Sequence, residues 1–420
     1  MTISSELLHN DKIREIINSD YEDKEFIELM RHITRDAIER NEYYRDLVEE
    51  QNYSPDNLTS IDDLADIPYI PAVQFKESSD MFRELLKIPQ DSSEFDTWYV
   101  SSATTGDPSI VGRSKEDGEL LASMTIKCIY DFIPIPKDQW DNTLSFNFAP
   151  SIKFLNRIAM RYTDVRPVKL YSSSLHEIST RMSNPKFLIK FNIWKAIKEI
   201  IINRKLQGAF EIDSKFVVEK VKENSEKPKK EQKFISFGGS LQLINNFMNN
   251  YMEENDLRFD LPDSVLNVGG GGWSGHKSQL KYPPIDKVKF VNDCVKYLGT
   301  DPKNITDMYG FTETPIIFGS HWSEDYQDFI FHCPPQARII VRDLETQEPI
   351  ETTGKKGFIE VLTPFGVDAS VNHAVAIDDV VELVGKNKCP ECGYEGAAFL
   401  LYGRLKDQKG LGCSSTVEWL

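Results

Sequence analysis

Three apolar runs in the middle of the chain constrain its fold more than any other feature. They are NTLSFNFAP (142–150), KFISFGG (233–239) and SVLNVGGGG (264–272), and each ends in glycine or another small residue. A short run that is apolar at successive positions reads as a strand covered on both faces and feeding a loop. Helical patterns separate the three. This alternation predicts an α/β fold with a largely parallel sheet. At 420 residues and 40% hydrophobic content, the chain has ample material for a core.

The flanks differ. Phe26, Met30, Ile33 and Ala37 recur at helical spacing. We expect residues 1–90 to form a helical region packed on the core, 91–325 the α/β core, and 326–420 a smaller strand-rich lobe with a C-terminal tail. The prolines of DIPYIPAVQFK (66–76) favour an extended connection. VKENSEKPKKEQK (221–233) reads as a charged surface linker. From Asp328 onward, DFIFHCPPQARIIVRD, GKKGFIEVLTP and AVAIDDVVELVG read as strands with turns between them.

A net charge of −17 argues against a general affinity for nucleic acid, although a local patch can still hold ATP. No run approaches the ~18 apolar residues of a membrane span. The start, MTISSELLHNDKIREI, lacks the basic-then-apolar pattern of a signal peptide, so a cytoplasmic protein is expected. The six cysteines, Cys128, Cys294, Cys333, Cys389, Cys392 and Cys413, should then be reduced.

Several stretches could carry chemistry. YVSSATTGDPS (99–109) sets Ser101, Ser102, Thr104 and Thr105 beside Gly106. Hydroxyls and a flexible backbone can wrap phosphate oxygens, although an ordinary solvated loop has the same composition. The stretch lacks the P-loop spacing. Gly270-Gly271-Gly272-Trp273-Ser274-Gly275 is formally a dinucleotide fingerprint, but Pro283-Pro284 come too soon for the helix that such a site needs. A bare turn, or a glycine wall that admits a flat ring, fits better. DMYGFTETP (307–315) offers Tyr309 to stack a base, Gly310, Thr312 to bond a phosphate and Glu313 to hold Mg²⁺; a turn with a solvated carboxylate is the plainer alternative. In AIDDVVEL (376–383), Asp378 or Asp379 could accept the hydroxyls of a ribose. CPECG (389–393) supplies half of a tetrahedral zinc site, with His321, His332 and Cys333 as upstream candidates, or else a pair of free thiols in a turn. Near the end, Lys409 would favour the thiolate of Cys413, unless the tail is mobile and the cysteine incidental. Neither a serine-hydrolase elbow nor H-E-x-x-H occurs.

The order SSATTGDPS, MYGFTET, AIDDVVEL, GRLKDQ resembles the adenylate-forming superfamily of acyl-CoA synthetases and aryl-CoA ligases. IPYIPAVQFK, the Gly-Gly-Gly-Trp turn, FHCPPQARIIVRD and Cys413 bring it closer to the acyl-protein synthetases of the LuxE type. The resemblance implies the superfamily's large N-terminal domain, layered α/β subdomains with a small strand-rich lobe, lacking the mobile C-terminal domain and its catalytic lysine; Lys406 or Lys409 could substitute for that lysine. It implies ATP phosphates at Ser101, Ser102, Thr104, Thr105 and Gly106. It places adenine on Tyr309, the adenylate phosphate at Thr312, Mg²⁺ at Glu313 and ribose at Asp379 and Arg404, with Asp378 the fallback. Gly270 to Trp273 would line the adenine or acyl pocket. Ala103 and Ser109 stand where glycine and lysine are usual, which could soften the phosphate grip. Related aryl-CoA ligases carry a zinc knuckle that maps to His321, His332, Cys389 and Cys392; strand alternation lets only one of His332 and Cys333 face it. The implied reaction activates a fatty or aryl acid with ATP and passes the acyl group to a thiol, with Cys413 first and a protein partner, carrier protein or CoA as final acceptor. Two rival readings are a degenerate member that binds nucleotide or partner without catalysis, and a nicotinamide-dependent oxidoreductase built on GGGWSG.

Overall fold

The first described helix is capped by Asn10, whose side chain accepts the backbone N–H groups of Lys12 and Ile13. The computed structural model describes residues 10–76, 96–101, 108–161, 163, 167–192, 194, 210–274, 276–277, 280–281 and 283–404. Helix α1 (Asp11–Asn18) buries Ile13 and Ile17. Helix α2 (Asp23–Arg40) buries the stripe Phe26, Met30, Ile33 and Ala37, as its spacing predicts, and Phe26, Met30 and Ile33 share a cluster with Leu362, Val367 and Ala374. Helix α3 (Glu42–Glu50) is capped by Asn41, which accepts the Tyr44 N–H.

The next segment is extended through Pro71, as its prolines predict, and departs from that only afterwards. Strand β1 (Ile70–Pro71) pairs in parallel with Val375 and Ala376, and a 3-10 turn over Ala72–Phe75 follows at once. Pro71, at φ −61°, has the backbone angle that suits entry to such a turn.

Strands β2 (Thr97–Val100) and β3 (Ile110–Arg113) pair antiparallel. Helix α4 (Lys115–Phe132) follows, opened by a capping box in which Ser114 and Asp117 exchange hydrogen bonds. Then come β4 (Leu144–Pro150), α5 (Ile152–Ala159), β5 (Val168–Leu170), α6 (Tyr171–Ser183) and β6 (Lys186–Phe191). After these come β7 (Phe210–Ile212), α7 (Ser214–Ser225), β8 (Ile235–Gly239), α8 (Leu241–Asn246) and β9 (Val265–Gly269). The pair β10 (His276–Lys277) and β11 (Leu280–Lys281) precedes α9 (Lys287–Leu298) and β12 (Ile305–Gly310). The last strands are β13 (Ile317–Ser323), β14 (Asp328–His332), β15 (Arg338–Arg342), β16 (Lys356–Leu362), β17 (Ala374–Gly385) and β18 (Ala398–Arg404).

Among the described residues one sheet runs in the order β15-β16-β17-β18-β14-β13-β12-β9-β8-β4-β6-β7, with β1 attached to β17. From β6 through β4, β8 and β9 to β12 every pairing is parallel. From β12 to β13, and onward to β15, every pairing is antiparallel. This is the α/β architecture that the apolar runs predict. The later strands do not form a sheet of their own: β13 folds back along β12 and continues the ladder. A second sheet joins β3, β2 and β5. Phe146, Phe237, Leu266, Ile305 and Phe318, from neighbouring strands, form the main core.

The supposed surface linker is also partly structural. Helix α7 runs into it as far as Ser225 and buries Val221. Buried Asn224 then clasps Lys233, bonding both its carbonyl and its N–H at 3.0 Å. The charges occupy the outer face, while Val217, Val218 and Val221 keep the helical period.

The N-terminal helices are tied to the sheet through Tyr44. Its hydroxyl donates to the Pro68 carbonyl at 2.9 Å and lies 3.1 Å from Nε2 of buried His373, just ahead of β17. Burial lowers the pKa of His373 from 6.5 to about 3. The unfolded chain therefore binds a proton over a range where the folded chain does not. The contribution is fully present above about pH 6.5 and is lost as pH falls toward about 3, by up to about 1.4 kcal/mol per pH unit. Unfolding free energies from urea titrations across the acid range should carry this slope, and His373→Gln should remove it.

Candidate active site and metal centre

The parallel strands end together. Strand β9 stops at Gly269 and its neighbour β12 at Gly310, with Met308 opposite Gly269. The loops leaving those ends carry the glycine wall and the Phe311-Thr312-Glu313 turn side by side. They lie outside the carboxyl ends of the parallel strands, the edge at which open α/β sheets bind ligands.

The wall uses backbone angles that disfavour side chains: φ is 77° at Gly270, 65° at Gly271 and 104° at Gly272. A Cβ on Gly272 would lie 2.0 Å from Nε2 of Gln242, which donates to the Gly272 carbonyl at 2.8 Å. Trp273 turns toward the core. Its indole donates to Asp307 at 2.8 Å and packs against Phe290 and Phe329. Burial pushes the Asp307 carboxyl up to about 6, against the pull of the Trp273 bond. Gly270 and Gly271 are the exposed part of the wall. No long helix starts there, because α9 begins only at Lys287, past Pro283 and Pro284.

Tyr309 sits on β12 among Phe311, Phe318, Phe331 and Phe399, whose rings lie within 6.4 Å of its own. Its hydroxyl donates to Asp379 at 2.7 Å. Burial, then the Asp379 charge, holds the phenol well above its ordinary range. Asp379 stands opposite Arg404 in the β17–β18 register, with Oδ1 4.0 Å from the guanidinium Nε. Along its other edge β17 bulges at this point: Ile377 faces Ile359 and Val380 faces Phe358, which leaves Asp378 and Asp379 as the extra residues. Burial works against the Arg404 charge, but Asp379, Asp378 and Glu313 together carry its pKa above the ordinary value.

Thr312 and Glu313 are buried. Burial raises the Glu313 pKa, opposed by a hydrogen bond from the Ser109 hydroxyl. Ser109 closes the neck of the hydroxyl-rich loop: its carbonyl accepts the Ser101 N–H at 2.9 Å, and its own N–H donates to the Ser101 hydroxyl at 2.9 Å. The same serine thus joins that loop to Glu313. Ser102, Thr104, Thr105 and Gly106 lie outside the described residues, as do Lys406, Lys409 and Cys413.

Sequence reasoning missed Arg113, at the end of β3. It is 1% exposed, and its Nη1 and Nη2 each donate at 2.9 Å, to the Gly366 and Thr312 carbonyls. Asn372 supports the same turn by donating to the Glu313 carbonyl at 2.7 Å. An arginine closing the apolar run SIVGR was the available signal: a buried strand end keeps such a charge only when acceptors surround it.

A second cluster lies on β13, β14 and the turn between β17 and β18. One ligand atom each from His321, His332, Cys389 and Cys392 gathers within 4.8 Å of the others. His321 Nδ1 is 2.9 Å from His332 Nε2, and Cys392 Sγ is 3.7 Å from the latter. Cys333 is not in the group; its Sγ lies 3.7 Å from the Pro334 carbonyl. Burial, then His321, lowers His332 to about 3, so its imidazole is neutral and fit to ligate. Its Nδ1 is buried with no hydrogen-bond partner. Two imidazoles and two thiols are the donor set of a structural zinc site. The His332 ring lies parallel to that of Phe132, at the end of α4. A Cβ on Gly319, opposite His332, would overlap Phe132 at 2.1 Å, so only glycine lets α4 approach here.

No helix among the described residues is long and apolar enough to cross a membrane. The family model described as "Acyl-protein synthetase, LuxE" matches residues 209–419. The long-chain-fatty-acid–luciferin-component ligase of Aliivibrio fischeri is 23% identical over 377 residues, covering 89% of this chain and 83% of that protein. Among solved structures, an open 2-hydroxyisobutyryl-CoA ligase in complex with 2-HIB-AMP and CoA superposes with TM-score 0.59 at 15% identity, covering 92% of this chain and 70% of that one. The same ligase in the postadenylation state with R3-HIB-AMP gives 0.58 at 15% identity, with 91% and 68% covered. At such identities the likeness carries the fold.

Replacing Arg113 by methionine keeps most of its bulk but strands two buried carbonyls. Arg113→Met should cost roughly 1–3 kcal/mol for each of them, read as a lower urea midpoint.

Proposed function

The chain belongs to the LuxE family of acyl-protein synthetases, acyl-adenylate-forming ligases, and on that premise we propose that it activates a fatty or aryl acid with ATP and passes the acyl group to a thiol. The observation that carries the site assignment is the 2.7 Å bond from Tyr309 to Asp379, with Arg404 opposite that aspartate. It unites an aromatic-glycine motif and a strand aspartate far apart in the chain, beside the Thr312-Glu313 turn.

In this reading ATP lies across the ends of β9 and β12. Gly270 to Gly272 and Tyr309 form the adenine side, with Trp273 supporting the wall from behind, and Asp379 and Arg404 take the ribose. Ser101, Ser102, Thr104, Thr105 and Gly106 surround the phosphates, gathered at a neck that Ser101 and Ser109 close. Gly310 lets the chain turn from β12 into the Thr312-Glu313 loop, and Thr312 binds the α-phosphate of the adenylate. Glu313 fits a cation site, being a buried carboxylate whose charge burial disfavours. Mg²⁺ held there would offset phosphate charge. A carboxylate oxygen of the acid attacks the α-phosphorus; that P–O bond forms, the α–β bridging bond breaks, and pyrophosphate leaves. The thiolate of Cys413, favoured by Lys409, then attacks the acyl carbon; the C–S bond forms and AMP departs. A second thiol, on a protein partner, carrier protein or CoA, takes the acyl group onward. The separate His321, His332, Cys389 and Cys392 cluster holds zinc as a structural ion in this reading.

ATP–pyrophosphate exchange screened across fatty and aryl acids should reveal at least one active acid. Thr312→Ala and Glu313→Gln should each lower that exchange by about 10²-fold. Exchange indifferent to both changes would remove this site from the reaction. With a labelled acid, Cys413→Ala should keep exchange yet lose covalent label; label that persists would exclude Cys413 as the acceptor.

A further inference from the structure

We propose that Glu391, the residue inside the Cys389–Cys392 knuckle, positions His321 for metal binding by fixing which ring nitrogen carries the proton. The inference rests on the zinc reading of the cluster. Three contacts carry it. Glu391 Oε2 lies 3.3 Å from His321 Nε2, the nitrogen that faces away from the other ligands. Its other oxygen, Oε1, accepts a hydrogen bond from the Ser323 hydroxyl. His321 Nδ1, on the opposite edge of the ring, is the atom 2.9 Å from His332 Nε2. Ser323 and His321 are two positions apart on β13 and so share one face of the strand.

The chemistry follows from the imidazole. A neutral ring carries one N–H and one lone pair. A carboxylate beside Nε2 holds the proton on that nitrogen, and the lone pair is then left on Nδ1, toward His332 and the two sulfurs. Ser323 keeps the carboxylate from rotating away. A carboxylate–histidine–metal relay of this kind also makes the ligating nitrogen more basic. His332 has no equivalent partner at its Nδ1, so its ring is held by packing between Phe132 and His321 instead. The two histidines are thus oriented by different means, one by hydrogen bonding and one by stacking.

The test uses the full chain. Zinc content would be measured by mass spectrometry, affinity by competition with a chromophoric chelator, and the inner ligands by X-ray absorption. Wild type should hold one zinc with two nitrogen and two sulfur ligands. Glu391→Gln should keep that ligand set and stoichiometry at saturating zinc but weaken affinity by about 10- to 100-fold, and Ser323→Ala should weaken it less. Unchanged affinity in Glu391→Gln, or a lost oxygen ligand that shows Glu391 to bind the ion directly, overturns the proposal. A wild type without zinc, or zinc retained in full by Cys389→Ser, sinks the zinc reading itself and this inference with it. Circular dichroism of each variant separates weakened binding from failure to fold.

Discussion

The architecture turns on the double pairing of β12. On one side it runs parallel to β9, on the other antiparallel to β13. A parallel neighbour brings the ends of two strands to the same edge of the sheet, so the glycine wall and the Thr312-Glu313 turn emerge together. An antiparallel neighbour returns the chain at once, which brings β13, β14, β18 and β17 into the same ladder. Asp379 and Arg404 thereby reach Tyr309 within one sheet.

The site also concentrates charge of one sign. Glu313, Asp378 and Asp379 all act on Arg404, the guanidinium common to the three. Arg113 also adjoins the turn, but both its Nη atoms are spent on carbonyls, and its Nε is buried without a hydrogen-bond partner. Its task is to bind backbone, not ligand. Among the described residues Arg404 is the cation on which these acids converge, which suits a site that would receive further positive charge together with a nucleotide.

Much of this was legible in the sequence, for physical reasons. Buried strands announce themselves because few residue types tolerate cover on both faces, and the three apolar runs are β4, β8 and β9. Helix α2 declared its buried face through spacing. Tyr309, Thr312, Glu313, Asp379 and Arg404 are singled out by the order of their motifs along the chain, and Tyr309, Asp379 and Arg404 adjoin in the sheet. Longer-range relations escaped. That the later strands continue the main sheet depends on the pairing of β12 with β13, which no local pattern encodes. The reach of α7 into a charged segment was hidden because lysines and glutamates dominate the composition while the valines set the period. Arg113, Asn372 and Glu391 were missed because each acts on backbone or on another side chain, and neither leaves a spacing signature.

Helix α4 joins two places that are otherwise unrelated. Its first turn is capped at Ser114, next to Arg113, and its last residue, Phe132, lies against His332. Eighteen residues of α-helix form a strut about 27 Å long that hardly compresses along its axis. The knuckle is therefore the footing of that strut, and β3, the return strand of the hydroxyl-rich stretch, stands on its other end. The distance between the histidine–cysteine cluster and the Thr312-Glu313 turn is set by one rigid member, and the loops between them need not carry that load.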